Sequence, residues 1–234
     1  MTDYHVHFGQ WGEKYFSSKD VFTHLKERGV DEIYFSSTTS CRYCKESFAV
    51  QNDKNLQKDL ISARELYELV RFEIQESFID AKKLNLVANA LYWVVPEIHL
   101  SNATTVENAM NELCYKGFKM HPRANCWDLN NEKIAELTEE VFAYADKHKM
   151  LILIHCGEDD FELPTKFEKF IAKYKDCTVQ LAHCRPLEQT LYMLKNFLNT
   201  VCDTAFANDN MIEEIKQAGF ENRIRYGSDF PIGK

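Results

Sequence analysis

Asp3-Tyr4-His5-Val6-His7-Phe8-Gly9 stands at the start of the chain. Side chains of a strand alternate between its faces, so His5 and His7 point the same way, one pleat apart. Two neutral imidazoles in that relation can share one divalent cation. An isolated His-x-His is more often a surface accident than a ligand pair. Its meaning depends on whether other strand ends supply further ligands.

Outward from this stretch, Asp3–Phe8 reads as a first strand. A helix follows from an N-cap at Ser18 to Arg28, with Val21, Phe22 and Leu25 inward and Gly29 at its end. Further strands are expected at Asp31–Ser36, Leu86–Trp93, Phe118–His121, Met150–His155, Thr178–His183, Thr200–Thr204 and Arg223–Asp229. Between them the apolar periodicity predicts helices at Leu56–Lys83, Thr105–Lys116 (closed by Gly117), Glu132–His148, after Pro164, from Pro186 to Phe197, and from an Asp209 cap to Gly219. A polar loop, Ser37–Asn55, follows the second strand. Leu151–Ile154 is apolar on both faces, as a strand inside a parallel sheet should be.

Connections of this length force parallel pairing. The alternation and the length of 234 residues predict an α/β chain, a (β/α)8 TIM barrel in one domain over residues 1–234. An open doubly wound sheet is the second expectation. It would carry a Gly-rich loop after its first strand, and Gly9-Gln10-Trp11-Gly12 is not one. Little chain follows Asp229, so the eighth helix is expected to be missing. The groove beside the first helix is then bare, filled by sequence absent here, or covered by another copy in a homo-oligomer.

With 45% hydrophobic and 27% charged residues, the composition fits a soluble domain with a sizeable core. No run reaches the ~18 apolar residues of a membrane span, and no basic leader precedes the first strand, which predicts a cytoplasmic protein. The net charge of -8 without a basic cluster argues against nucleic acid as a partner and leaves small molecules. Of the eight cysteines only Cys41 and Cys44 form a C-x-x-C pair, read as two ordinary loop thiols. Cys156 and Cys184, each next to a candidate ligand, are expected to face away from the lumen.

In a barrel of this kind the active site lies at the C-terminal ends of the strands. His5 and His7 end the first strand, Lys119 and His121 the fourth, His155 the fifth, His183 the sixth and Asp229 the eighth. Each alone reads as a structural residue, but chance would scatter such a set over helices and loops. His24, His99 and His148 are read as structural.

His5-Val6-His7, the apolar strand into His155, Gln180-Leu181-Ala182-His183 and Gly227-Ser228-Asp229-Phe230-Pro231 resemble the amidohydrolase superfamily, in its branch of amidohydrolase-related TIM-barrel hydrolases and decarboxylases. The resemblance spans the first strand to the eighth. It implies that His5, His7, His155 and Asp229 hold one divalent ion, taken here as Zn2+, with His183 as a further ligand or proton carrier. Lys119 stands where binuclear members place a carboxylated lysine. If it is modified, His155 and His183 would bind a second ion.

The residues support a matching chemistry of their own. Three imidazoles and a carboxylate leave room for a water, whose pKa a divalent metal lowers toward ~7. Asp229 is then the general base, and His183 and Lys119 are the groups set to stabilise an oxyanion. Arg123 and Arg185 are candidate clamps for a carboxylate or phosphate, and pairing with a neighbouring acid is the equal alternative. Trp93, Tyr92, Trp11 and Trp127 are candidate aromatic walls. The leading expectation is a metal-dependent hydrolase acting on a C–N or C–O bond of a small substrate. The alternatives are a non-oxidative decarboxylase and an inactive metal-binding barrel.

Overall fold

The structure is a computed structural model; it describes residues 1–47, residue 50 and residues 60–233. Its strands are β1 (Thr2–Trp11), β2 (Lys14–Phe16), β3 (Glu32–Ser37), β4 (Val87–Trp93), β5 (Gly117–Met120), β6 (Leu151–Ile154), β7 (Thr178–Leu181), β8 (Thr200–Asp203) and β9 (Ile224–Arg225). Helices α1 (Ser18–Glu27), α2 (Ala63–Lys83), α3 (Pro96–Leu100), α4 (Val106–Glu112), α5 (Glu132–Lys147), α6 (Glu168–Lys173), α7 (Leu187–Asn196) and α8 (Asp209–Gln217) connect them.

All nine strands form one sheet in the order β2-β1-β3-β4-β5-β6-β7-β8-β9. β2 turns back antiparallel on β1, and the remaining neighbours pair in parallel. The segment after β9 then closes on β1: Tyr4 N–H donates to Tyr226 O (2.9 Å), Asp229 N–H to His5 O (2.8 Å) and His7 N–H to Phe230 O (2.8 Å). This closure makes the sheet a barrel and removes the open doubly wound alternative. Among the described residues no helix follows the last strand.

The apolar positions expected on the helices do face the barrel. Val21, Phe22 and Leu25 of α1 are buried, as are Ile134, Leu137, Val141 and Ala145 of α5. Inside the barrel, Leu91, Leu151, Leu153 and Ala182 fill the floor with Tyr34 against them. Burying such side chains contributes roughly 1.5–3 kcal/mol each.

Several boundaries differ from expectation for local reasons. The helix expected over Leu56–Lys83 begins at Ala63, where Ser62 and Glu65 form a reciprocal capping box. Residues 56–59 of that expectation, and 48, 49 and 51–55 of the expected loop, lie outside the described residues. The caps expected at Ser18 and Asp209 are one residue earlier, at Ser17 and Asn208. Pro96 opens a short helix, which the fixed φ of proline at its first position favours. Gly117 does not close a helix. It begins β5, where a Cβ would stand 2.1 Å from Leu151 O of the paired strand.

Candidate metal centre

β1 delivers His5 and His7 to one point, as the two-residue period of a strand requires. Their Nε2 atoms are 3.1 Å apart. Asp229 Oδ1 lies 3.3 Å from His5 Nε2 and 3.0 Å from His7 Nε2. The backbone at Asp229 has φ 50°, and its N–H is tied to His5 O, so barrel closure and ligand placement are one event.

Hydrogen-bond partners assign the tautomers. His5 Nδ1 faces Asp203 Oδ2 at 3.0 Å, and His7 Nδ1 faces Ser36 O at 3.3 Å. Asp203 and the Ser36 carbonyl can only accept, and Ser36 Oγ, 3.1 Å from His7 Nδ1, is able to accept as well; with both Nδ1 atoms protonated, both Nε2 atoms present lone pairs. Three acceptor atoms therefore converge within 3.3 Å of one another. Donors held ~2.0–2.2 Å from a shared ion stand roughly 2.9–3.5 Å apart. The residues present fit a divalent cation on chemistry and on spacing.

A second pair adjoins the first. His183 sits in a turn after β7 with φ 72°, a left-handed conformation that aims its ring inward. Its Nε2 is 3.0 Å from His155 Nδ1, and its ring centroid is 5.3 Å from that of His5. By ligand spacing His5, His7 and Asp229 form one group, His5, His183 and Asp203 a second that shares His5, and His121, His155 and Glu162 a third. His121 is a poor co-ligand of His155: the rings stack face to face at 3.7 Å, so their in-plane lone pairs run parallel, and Ala124 N–H already donates to His121 Nδ1.

Lys119 is fully buried, with Nζ 3.0 Å from His5 Nε2, donating to the lone pair turned inward. Burial lowers its pKa, opposed by Asp229 and Asp203. Burial likewise holds His7 near 4 and His183 near 3, so these rings are neutral donors at neutral pH. At Asp229 burial pushes upward, but the adjacent His5 and His7 outweigh it and keep the carboxyl ionised well below the usual range.

Above this floor opens a cleft of about 490 Å³, lined by His7 and Asp229 at its base. Trp11, Tyr43, Trp93 and Phe206 form its aromatic walls, and Arg123 and Arg185 stand on one side. Trp93 is fixed by donating to Asn125 Oδ1 at 2.9 Å. Arg123 lies 3.5 Å from Asp159, and Arg185 donates to Cys156 O with its guanidinium over Phe206. Tyr92 and Trp127 do not wall the cleft. Tyr92 neighbours Trp93 in β4 and so points outward, onto Tyr115 and His99. Trp127 is buried under α5, donating to Thr138. His5, Lys119 and His183 lie beneath the cleft rather than on its wall.

Sequence reasoning passed over two carboxylates. Asp203, fully buried at the end of β8, accepts from His5 Nδ1, Gln180 Nε2 and the backbone N–H of His183 and Ala205. Its place at a strand end was the signal available. Glu162 lies in the loop after β6, where no spacing marks it.

Barrel and donor set together define a class, a (β/α)8 protein with a divalent-cation site at the C-terminal mouth of its strands. The family follows from the sequence as a whole: the chain matches the amidohydrolase model over residues 2–233 and belongs to that family. No curated protein matches it. Among solved structures it is similar to a Staphylococcus aureus protein described as an amidohydrolase (TM-score 0.62, 13% identity, covering 99% of this chain and 89% of that one). It is also similar to a 2,6-dihydroxybenzoate decarboxylase complexed with 2,6-dihydroxybenzoate (TM-score 0.62, 9% identity, 99% and 87%). A third is a dihydroxybenzoic acid decarboxylase from a Polaromonas species with bound manganese and 2-nitroresorcinol (TM-score 0.59, 11% identity, 98% and 86%). At these identities the likeness is one of fold.

Proposed function

We propose that the chain is a metal-dependent hydrolase that cleaves a C–N or C–O bond of a small substrate. The observation that carries this reading is the convergence of His5 Nε2, His7 Nε2 and Asp229 Oδ1, with tautomers fixed from behind, at the base of an open cleft. These three atoms would hold the ion, with His155 and His183 adjoining as further ligands. A divalent ion such as Zn2+ supplies Lewis acidity toward a substrate oxygen and makes a nearby water more acidic.

The residues themselves supply the rest. Asp229, ionised and on the cleft wall, accepts the proton of the attacking water and returns it to the leaving nitrogen or oxygen. Lys119, beneath His5, contributes positive potential where an oxyanion develops. Arg123 and Arg185 orient an anionic group of the substrate, and the aromatic walls bind its body and exclude water.

The two arginines beside aromatic walls favour a second reading, non-oxidative decarboxylation of a small aromatic acid. The decarboxylases among the similar structures support it. Turnover in H2(18)O separates the two: hydrolysis places the label in product, whereas decarboxylation releases CO2 and takes up only a proton at carbon. Release of CO2 with no label in the organic product overturns the hydrolase reading, the CO2 itself exchanging oxygen with the solvent. An Asp229→Asn variant is expected to lose at least ~100-fold in kcat under either reading; unchanged turnover would remove Asp229 from the chemistry.

A further inference from the structure

The loop between β6 and α6 is folded around a carboxylate that the proposed chemistry does not use. Gly157 N–H donates to Glu162 O (3.2 Å) and Glu162 N–H to Asp159 O (2.8 Å), which turns the Glu162 side chain back over Gly157. A Cβ on Gly157 would stand 2.2 Å from Glu162 Oε2, so a larger residue there would push the carboxylate aside. Glu162 is 3% exposed, and its Oε1 lies 3.2 Å from His155 Nε2. Among the described residues Oε1 receives no hydrogen bond, and no lysine or arginine stands within ion-pair distance of Glu162.

The orphaned oxygen follows from the tautomers. His183 Nδ1 faces Ala205 O at 3.2 Å, so it carries the proton, and His183 Nε2 is a lone pair. His155 Nδ1 donates to that lone pair at 3.0 Å. His155 Nε2 is therefore also a lone pair, facing a carboxylate oxygen, and two acceptors meet. Moving the one ring proton of His155 from Nδ1 to Nε2 resolves this with no change in charge. Oε1, 3.2 Å from Nε2, is then the acceptor nearest that proton, and His155 Nδ1 and His183 Nε2 face one another as two lone pairs at nearly the separation of the His5–His7 pair.

We propose that Glu162 is the positioning residue of His155: it accepts the Nε2 proton and so turns His155 Nδ1, beside His183 Nε2, into a donor for a cation. The role rests on the reading of the site as a metal centre. It assigns to the loop from Gly157 to Glu162 a task in metal affinity rather than in substrate contact. Partners of this kind behind ligating histidines commonly account for 10–100-fold in affinity.

The test reads the histidine ring nitrogens by two-bond 1H–15N correlation, together with Zn2+ affinity by calorimetry on chelator-stripped protein. In the wild type, His155 is expected as the Nδ1–H form without metal and as the Nε2–H form with Zn2+. Glu162→Ala should lower Zn2+ affinity roughly 10–100-fold. Glu162→Gln, which keeps an acceptor but not the charge, should fall between. Gly157→Ala touches no proposed ligand and should reproduce the Glu162→Ala loss by displacing the carboxylate. The double variant should be no weaker than Glu162→Ala alone, and Gly157→Ala also serves if Glu162→Ala does not fold. Unchanged Zn2+ affinity and tautomer in Glu162→Ala, or in Gly157→Ala, overturns the role of Glu162 and leaves the metal centre standing. A wild type that takes up no Zn2+ and shows no ring shift overturns the metal centre, and the role with it.

Discussion

At the scale of single residues, the site is specified as much by what stands behind the histidines as by the histidines. Asp203 accepts four hydrogen bonds in full burial, and against that burial the neighbouring His5 and His183 hold its pKa near 2. Asp203→Asn must offer an NH2 where only acceptors fit. The expected result is a loss of ~2–4 kcal/mol in urea unfolding and a drop in metal affinity of roughly 10–100-fold, since His5 loses its fixed tautomer. Unchanged affinity would show that His5 is oriented by packing alone.

His99 gives a residue-scale prediction away from the site. It donates through Nδ1 to Thr104 O and accepts from Tyr92 at Nε2, and burial lowers its pKa to about 4. Above pH 6.5 the ring is neutral in folded and unfolded chains, and its contribution is fully present. Between pH 6.5 and about 4 the unfolded chain takes up a proton that the folded chain refuses, so stability falls as pH falls. Relative to His99→Gln, the wild type should lose up to ~3 kcal/mol more between pH 7 and 4 in denaturant titrations. Parallel curves would place the acid sensitivity elsewhere.

At the scale of elements, strands were legible and their edges were not. The apolar runs and the His-x-His fixed which segments pair, because a parallel strand buried on both faces leaves a mark in composition. The β2 hairpin left none: Lys14-Tyr15-Phe16 is short and partly exposed, held by register with Gly9 to Trp11. Gly117 was misread because a glycine after a helical pattern usually ends it. Here close approach of β5 to β6 requires it. Gly117→Ala should cost about 3 kcal/mol, read as a lowered Tm, because the Leu151 carbonyl is backbone and cannot move aside. A neutral effect would mean that β5 and β6 separate at that end more easily than their pairing indicates.

At the scale of the whole molecule, the sequence displayed the barrel and the direction of its mouth. His5 and His7 stand within β1, where alternation fixes their faces, and His155, His183 and Asp229 stand just beyond the C-terminal ends of β6, β7 and β9. It did not display how they subdivide into a His5–His7–Asp229 triangle and a His155–His183 pair. That division depends on ring orientation, which comes from Asp203, Ser36, Ala205 and Glu162, contacts made across the barrel. Tyr92 and Trp127 were misplaced for a related reason. A ring near the rim can face either way, and only the pleat or the packing decides.

The central claim is that lone pairs converging at the barrel mouth form a divalent-cation site, and direct titration tests it. Chelator-stripped protein titrated with Zn2+ or Mn2+ should bind about one ion per chain at the His5–His7–Asp229 triangle. At [ion] about 100 times Kd the added stability is ~2.7 kcal/mol. His7→Ala should abolish both the binding and the rise in Tm. Absence of binding heat with an unchanged Tm in the wild type, or full binding retained in His7→Ala, would contradict the account.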